Sequence, residues 1–357
     1  MKIFIDVDNT IIEHYGFYSY ETESRIHKSI GKFPMDNLAS IQYMYETSVC
    51  HDPEIIRELF KHDDVHILTK YPHIAYENEK KKRVAKLFKI SVEELNEMVN
   101  SKGEKKYIIV EENDSKVRKV KEMFNLSNIN GCILVDDYSQ NIIEWEAAGG
   151  IGFKYYNEYN SAKHPVNGIS ISSFKLFSSI LNKKSLENLI LVGSNQYKVK
   201  LIEQNFFSEK ENIQKIEIAN LVLKNLTQKL GILQFEENHK YSYMQFVIDY
   251  YEFMDHLDCK YWANEFNGII DQNKITLLTA IFEPNFNNIF RYSNIKSNDI
   301  LSIHIISSDI PKPKNTYDVY LTINEKKMIN NMDDTFLRIT NILKSILFCS
   351  SEPKITD

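Results

Sequence analysis

The sequence is poor in several features that would place it in a specialised class. It has only four cysteines, Cys50, Cys132, Cys259 and Cys349, which lie far apart and form no CxxC pair. This removes the usual zinc spacings and is typical of reduced thiols in a cytoplasm. No apolar run reaches the length of a membrane span, and the first residues lack a signal-peptide pattern. We therefore expect a cytoplasmic protein with no membrane partner and no cleaved leader.

An excess of positive charge is also missing. The net charge is −6, so a broad electrostatic surface for nucleic acid is not expected, although a local basic groove would still allow one. Hydrophobic residues make up 43% and charged residues 26% of the chain, which is typical of a globular protein. The 357 residues suffice for two domains of ordinary size, and their oligomeric state is left open.

Short apolar runs alternate with helical stretches through the first half of the chain. The runs are "KIFID", "VHILT", "YIIVE", "CILVDD" and "IGFKYY". Continuous apolar runs are typical of strands buried on both faces of a parallel sheet. The stretches "SKVRKVKEMFNL" and "SQNIIEWEAAGG" have helical spacing, and the second ends at Gly149 and Gly150. The pattern predicts an α/β fold with a doubly wound parallel sheet.

A second domain is indicated by turn-forming residues followed by a new strand signal. The stretch "NEYNSAKHPVNGISISS" is rich in turn formers, "FKLFSSIL" predicts a closing helix, and "LILVG" begins a fresh strand. We therefore place a boundary near Lys184 and predict domains at 1–184 and 185–357. The second half predicts further strands at "KITLLTAIF", "LSIHIIS" and "DVYLTI", and a last helix at "TFLRITNILKSIL".

Acidic residues follow two of the predicted strands. Asp6 and Asp8 end the first strand, and Asp136 and Asp137 end "CILV". The carboxyl ends of parallel strands share one edge, where ligands bind, so these side chains are expected to converge. Carboxylates in one crevice suppress each other's ionisation unless a cation neutralises them, and such ligands suit Mg²⁺. The alternatives are helix caps for "DVDNT" and a surface turn for "VDD".

Thr69 and Lys116 add groups that suit phosphate chemistry. Thr69 ends "VHILT", where its hydroxyl can donate to a phosphate oxygen, and Lys116 lies near the start of a helix. A nucleophile, a proton donor, a metal and positive charge are what phosphoryl transfer needs. Lys105, Lys106 and Lys119 are rivals of Lys116, since a solvated helix face explains any of them. The charge run "NEKKKRVAK" is also expected to be a solvated helix face.

Taken together, these motifs resemble a known superfamily. "DVDNT", "ILTK", the lysine-bearing helix start and "ILVDDYSQN" resemble, in order, the four motifs of the haloacid dehalogenase superfamily. The span "ILVDDYSQNIIEWEAAGGIGFKYYN" is similar to the bacterial and phage branch of the cytosolic 5′-nucleotidase, deoxyribonucleotidase-like, family. The resemblance covers about residues 1–182. It implies a Rossmann-like phosphatase domain with Mg²⁺ as cofactor.

The resemblance also implies a role for each motif residue. Asp6 would attack phosphorus and form an aspartyl-phosphate, while Asp8 would protonate the leaving alcohol and later deprotonate the hydrolytic water. Thr69 and Lys116 would hold the phosphate, which makes them substrate-binding as well as catalytic residues.

For the metal, the resemblance implies ligands from both acidic motifs. Mg²⁺ would be held by Asp6, the backbone carbonyl of Asp8 and Asp136, with Asp137 acting through water. Asn141 would support the acidic loop or simply start a helix. Residues 12–64 stand where the superfamily carries a small helical cap. Within that range four aromatic residues could stack a base or pack the cap onto the core, namely Tyr15, Phe17, Tyr18 and Tyr20.

The second half weakly resembles guanylate kinase-like proteins over residues 188–346. "LILVGSNQYKVKLIEQNF" has the outline of a strand, a phosphate loop and a helix. A phosphate loop needs Gly-Lys-Ser/Thr at 198–200, where the chain has Lys198, Val199 and Lys200. The resemblance therefore implies a degenerate P-loop kinase-like α/β domain, used as a scaffold, for partner binding or for nucleotide sensing.

The function expected from the sequence is a cytoplasmic, Mg²⁺-dependent phosphomonoester hydrolase. Its substrate would be a small phosphorylated molecule, with a nucleoside 5′-monophosphate favoured. One alternative is a polynucleotide 3′-phosphatase, against which the acidic net charge argues mildly. Others are a phosphatase for sugar phosphates or phosphoproteins, and a non-catalytic nucleotide-sensing or regulatory protein.

Overall fold

The fold is that of a computed structural model, which describes twelve segments of the chain. They are residues 2–14, 38–71, 74–111, 113–156, 168–181, 188–193, 213–230, 240–271, 275–280, 286–294, 300–306 and 317–322. The chain divides into two compact units, Met1–Leu181 and Asn182–Asp357. This division lies close to Lys184.

The first unit alternates strands and helices. Its elements are β1 (Ile3–Ile5), α1 (Leu38–Thr47), α2 (Pro53–Lys61), β2 (Val65–Tyr71), α3 (Ile74–Phe88), α4 (Val92–Glu97), β3 (Tyr107–Glu111), α5 (Lys116–Met123), β4 (Ile133–Asp136), α6 (Ser139–Ala147), β5 (Ile151–Tyr155), β6 (Gly168–Ile171) and α7 (Lys175–Leu181). The five strands predicted from the apolar runs are all present. The helices predicted after Ser115, at Ser139 and in "FKLFSSIL" are present as well.

The strands of the first unit form a parallel sheet in the order β3-β2-β1-β4-β5-β6. Ile3 pairs with Val65 on one side and Ile133 on the other, so β1 is central. All residues of β1 and β4 are buried, as continuous apolar runs predict. This is a Rossmann-like α/β arrangement. The strand order reverses between β1 and β4, and ligands of open parallel sheets bind beside such a switch point.

The packing of Trp145, on α6, determines the path of the chain from α6 into β5. Trp145 is fully buried, and its Nε1 donates to the carbonyl of Cys132 at 3.1 Å. Gly149 has a φ of 90°, a left-handed conformation in which glycine ends a helix without strain. A Cβ on Gly150 would lie 2.2 Å from the Trp145 Nε1, so the close approach of chain and ring requires glycine. The predicted end of α6 at these glycines is confirmed.

Helices α1 and α2 fall within residues 12–64, where a cap was expected. Helix α2 contacts β2 and α7, and α1 contacts α3. Both helices therefore pack on elements of the sheet domain. Residues 15–37, with the four aromatic cap candidates, lie outside the described residues, and the cap stays a prediction.

One strand of the first unit was not expected. Strand β6 lies in the stretch that turn-forming residues marked as irregular, yet it pairs in parallel with β5. Its four residues are all buried, and Ser170 interrupts the apolar pattern that would have revealed it.

The second unit is also an α/β unit with parallel strand pairs. Its elements are β7 (Asn188–Gly193), β8 (Ile213–Glu217), α8 (Ile218–Leu230), α9 (Lys240–Leu257), α10 (Tyr261–Asn267), β9 (Ile275–Ala280), α11 (Phe286–Tyr292), β10 (Ile300–Ile306) and β11 (Val319–Thr322). The strands pair in the order β11-β10-β7-β9-β8. The four predicted strands are present, and β8 is an addition whose polar residues gave no apolar run.

Two predictions for the second unit lie outside the described residues. These are the broken phosphate loop at 194–200 and the last helix. Among the helices that are described, none combines the length and apolar character needed to cross a membrane.

Candidate active site

The predicted site residues meet at the carboxyl ends of three neighbouring strands. Asp6 directly follows β1, Asp136 ends β4 and Thr69 lies in β2. The backbone N–H of Asp6 donates to the carbonyl of Val135 at 2.9 Å, which continues the ladder between β1 and β4. Asp6 and Asp136 flank the switch point between β1 and β4, and Thr69 lies on the neighbouring strand. That the acidic residues share one edge of the sheet was expected from the sequence.

A tight turn brings Asp8 to the same edge. Asn9 has a φ of 53°, and asparagine tolerates this left-handed region better than most residues. The backbone N–H of Ile11 then donates to the carbonyl of Val7 at 2.9 Å. The Asp8 side chain is 32% exposed, so it faces the crevice while Asp6 lies deeper.

Lys116 joins the two central carboxylates. Its Nζ lies 2.7 Å from the Asp6 Oδ1 and 2.6 Å from the Asp136 Oδ2. Lys116 is the first residue of α5 and is only 3% exposed. Two of the three rival lysines lie elsewhere, since Lys105 donates to the carbonyl of Asn96 and Lys106 to that of His62. We call Asp6, Lys116 and Asp136 the Asp6 cluster.

Charge in the Asp6 cluster is not fully balanced. Burial raises the pKa of Asp6 to about 6, with Asp136 adding to the effect and Lys116 opposing it. Burial opposes the charge of Lys116 too, but Asp136 and Asp6 outweigh it and raise the Lys116 pKa above its ordinary value. One ammonium is therefore shared by two acids, and Asp6 keeps an elevated pKa despite it.

Asp136 accepts from its own set of donors, and the backbone of Asp137 is anchored to Thr10. Asn141 Nδ2 donates to the Asp136 Oδ2 at 2.9 Å, and the backbone N–H of Tyr138 to Oδ1 at 2.8 Å. The backbone N–H of Asp137 donates to the Thr10 hydroxyl at 3.2 Å. Asn141, for which two roles were open, thus contacts the acidic loop directly.

Three of the acids are close enough to share a cation. Asp6, Asp136 and Asp137 each offer one carboxylate oxygen, and these oxygens lie within 4.8 Å of one another. Burial raises the pKa of Asp137 well above its ordinary value, and the charges of Asp136 and Asp6 raise it further. Hard, anionic oxygen donors with this residual repulsion fit a divalent cation such as Mg²⁺.

Asp8 has a different set of partners, which we call the Asp8 cluster. Lys80 Nζ lies 2.6 Å from the Asp8 Oδ2 and 3.0 Å from the Thr69 Oγ1, and it also donates to the carbonyl of Lys70. His14 Nε2 and the Tyr45 hydroxyl each lie 3.0 Å from the Asp8 Oδ1. Both carboxylate oxygens are thus engaged.

These partners reverse the effect of burial on Asp8. Burial alone would raise the pKa of Asp8, but the charge of Lys80 and the hydrogen bond and charge of His14 outweigh it. The net result is a pKa held well below the ordinary aspartate value. Asp8 is therefore ionised in the ligand-free protein.

Sequence reasoning missed Lys80, His14 and Tyr45. Lys80 belongs to the charge run expected to be a solvated helix face, and for Lys80 that expectation is wrong, since it is 1% exposed. Its neighbours Lys81 and Lys82 do form pairs with glutamates of their own helix. Helical spacing could have indicated that Lys80 is buried. Val84 and Leu87 follow Lys80 at four and seven residues and are buried on the same face of α3.

Comparison with protein-family models gave no match, and comparison with curated proteins gave none either. Comparison with solved structures gave matches, among them DsGPDH of Dunaliella salina, at 10% sequence identity and a TM-score of 0.31. The alignment covers 86% of this chain and 52% of that one, so the chain spans about half the length of DsGPDH. A similarity this weak carries no argument about the site.

Proposed function

We propose that the protein is a Mg²⁺-dependent phosphomonoester hydrolase of the haloacid dehalogenase type. One observation carries the proposal. Asp6 and Asp8, two residues apart, lie at the switch point of a parallel sheet in opposite electrostatic settings. Asp6 lies beside two further carboxylates that could share a cation with it, and Asp8 lies beside Lys80, which also contacts Thr69. Two carboxyl groups whose surroundings push their pKa values apart are suited to different roles in one reaction.

Asp6 is the nucleophile in this proposal. An Oδ atom of Asp6 forms a bond to phosphorus while the bond from phosphorus to the ester oxygen breaks, which leaves an aspartyl-phosphate. Lys116 lies 2.7 Å from the Asp6 Oδ1, so it would hold the attacking carboxylate in place and, as the family resemblance implies, bind the phosphate. Thr69 and Lys80 would be further donors for the phosphoryl oxygens, since Lys80 contacts both Asp8 and the Thr69 hydroxyl.

Asp8 serves the leaving group and then water. With substrate bound, Asp8 takes up a proton from solvent and gives it to the departing ester oxygen; in the second step it takes a proton from the water that attacks the aspartyl-phosphate. This restores Asp6 and releases inorganic phosphate. A bound phosphate places negative charge beside Asp8 and competes for Lys80, and both effects raise the pKa of Asp8 toward the range in which it donates.

Asp6, Asp136 and Asp137 would hold the Mg²⁺, with the backbone carbonyl of Asp8 as a further donor. When bound, the cation neutralises charge on the phosphoryl oxygens and on the carboxylates. Asn141 and the backbone of Tyr138 orient Asp136 for this task.

For the substrate we propose a nucleoside 5′-monophosphate, in line with the family resemblance of residues 1–182. The second unit would then be a degenerate kinase-like domain that senses nucleotides or binds a partner. A polynucleotide 3′-phosphatase is the second candidate, and the substrate panel below separates the two.

The test is phosphate release from a panel of nucleoside 5′- and 3′-monophosphates, with and without Mg²⁺. We expect metal-dependent release that vanishes in Asp6→Asn. The matched control is Asp64→Asn, which removes the same charge from the loop before β2, at the opposite edge of the sheet. Release from no nucleotide by the folded protein would refute the nucleotidase, and preference for 3′-phosphates would favour the second candidate.

A further inference from the structure

The two carboxylate oxygens of Asp8 have separate partners. His14 Nε2 and the Tyr45 hydroxyl both lie 3.0 Å from Oδ1. Oδ2 lies 2.6 Å from Lys80 Nζ, which is itself 3.0 Å from the Thr69 hydroxyl. Lys80 Nζ therefore bridges Oδ2 and the Thr69 hydroxyl. The Asp8 carboxylate is therefore oriented, with Oδ1 toward His14 and Tyr45 and Oδ2 toward the phosphate donors.

The two groups that hold Oδ1 are rigidly placed. The His14 side chain is 1% exposed and Tyr45 is 2% exposed, and their rings meet edge to face at 5.0 Å and 90°. Glu13, next to His14, exchanges two backbone hydrogen bonds with Val49 at 2.8 and 2.9 Å. Buried side chains with fixed neighbours lose little entropy when they hold a third group.

The chain also connects these groups to Lys80. Tyr45 lies on α1, which packs on α3, the helix that carries Lys80. Tyr45 on one side of the Asp8 carboxylate and Lys80 on the other thus come from two helices in contact, and the carboxylate cannot rotate without breaking hydrogen bonds to both.

We propose that His14 and Tyr45 are positioning residues, which hold Asp8 by Oδ1 so that Oδ2 meets the leaving-group oxygen. The proposal rests on the phosphatase function proposed above and adds two residues to it. A misplacement of about 1 Å in a reacting group can cost up to about 10²-fold in rate, so loss of one of two holding hydrogen bonds should cost about tenfold.

The test compares two esters that differ in their need for an acid. A nucleoside 5′-monophosphate releases an alkoxide that must be protonated, whereas 4-nitrophenyl phosphate releases a stable phenolate. Tyr45→Phe removes one oxygen and keeps the ring. The step that distinguishes the esters is the phosphorylation of Asp6, since the later hydrolysis of the aspartyl-phosphate is common to both. In rapid-quench measurements we expect the rate of first-turnover phosphorylation to fall about tenfold with the nucleotide and by less than about twofold with the nitrophenyl ester.

Three further variants distinguish loss of the hydrogen bond from loss of packing. Tyr43→Phe, at an exposed position of the same helix, is the matched control and should leave both rates unchanged. His14→Gln can present an amide N–H to Asp8 Oδ1 and should retain more nucleotide activity than His14→Leu. Melting temperatures of all variants show whether each is folded.

The outcomes separate this inference from the function on which it rests. If the wild-type protein is active and Tyr45→Phe slows phosphorylation by both esters equally, or changes KM alone, the positioning role is wrong while the phosphatase stands. If the wild-type protein hydrolyses neither ester, the proposed function fails and the positioning role fails with it.

Discussion

Asp6 and Asp8 are two residues apart in the chain, yet their surroundings shift the pKa values of the two carboxyl groups in opposite directions. Asp6 is buried beside Asp136 and shares one lysine with it, and its pKa rises to about 6. Asp8 lies at the crevice with Lys80 on one oxygen and His14 and Tyr45 on the other, and its pKa falls. The difference comes from the number of donors per carboxylate and not from burial alone, because burial raises the pKa of both.

The comparison shows how one strand end can supply two chemical roles. Surplus negative charge in the Asp6 cluster favours a cation, whereas the donors of the Asp8 cluster favour an anionic group that competes for them. In the proposed function, the phosphate would contact both clusters. Each prediction below alters one side of the comparison.

The largest expected effect is that of Asp8→Asn. Without the acid, nucleotide hydrolysis should fall by about 10³-fold, within the range typical of general acid–base catalysis. With 4-nitrophenyl phosphate, Asp6 should still be phosphorylated, so a burst of nitrophenolate followed by slow turnover is expected. Rapid-quench kinetics would measure the burst. Asp6→Asn should give no burst, and full turnover by Asp8→Asn would contradict the assignment of the two roles.

Removal of Lys80 should have the next largest effect. Lys80→Met takes the ammonium away from the Asp8 Oδ2 and the Thr69 hydroxyl, and kcat/KM should fall by about 10²-fold because phosphate loses a donor. Inhibition by inorganic phosphate should weaken as well. The control is Lys82→Met, an exposed lysine of the same helix paired with Glu79. Equal losses in the two variants would show that general charge on α3, and not the site contact, is responsible.

Much of this site was open to prediction from the sequence, and the part that was not has a physical reason. The apolar runs fixed which residues form strands, and parallel pairing then brought Asp6, Asp8, Thr69 and Asp136 to one edge. These residues stand directly at strand ends, so their position follows from the sheet. Strands β6 and β8 were missed because their residues do not form continuous apolar runs.

Residues contributed by helices were harder to assign. Lys116 was one of four candidate lysines, and Lys80 was taken as solvated, because the burial of a lysine depends on the carboxylate it meets across the fold. His14 and Tyr45 approach Asp8 from a turn and from α1, and no local spacing indicates that approach. Their contacts depend on tertiary packing, which patterns along the chain do not contain.

Metal binding should depend on pH through the Asp6 cluster. The pKa of Asp6 is about 6 without metal and that of Asp137 is also raised, so protons compete with the cation at these carboxylates. The Mg²⁺ association constant should be steady well above pH 6 and fall by about tenfold per unit below it for each proton displaced. Calorimetry in buffers of different ionisation enthalpy would count the protons released. An affinity that is constant from pH 5 to 7 would contradict the raised pKa of Asp6.

The smallest effect is expected for Asn141→Ala, which acts on the metal only through Asp136. The variant removes the hydrogen bond to the Asp136 Oδ2 and leaves that of the Tyr138 backbone to Oδ1, so Asp136 keeps one of its two orienting donors. Loss of a residue that hydrogen-bonds to a metal ligand typically weakens metal binding by about 10- to 100-fold, and a loss of about 10-fold is expected here. Gln140→Ala, on the exposed side of the same helix, is the control. An unchanged Mg²⁺ affinity in Asn141→Ala would mean that Asn141 merely starts α6, and the Asp6 cluster would then be organised by the backbone and Lys116 alone.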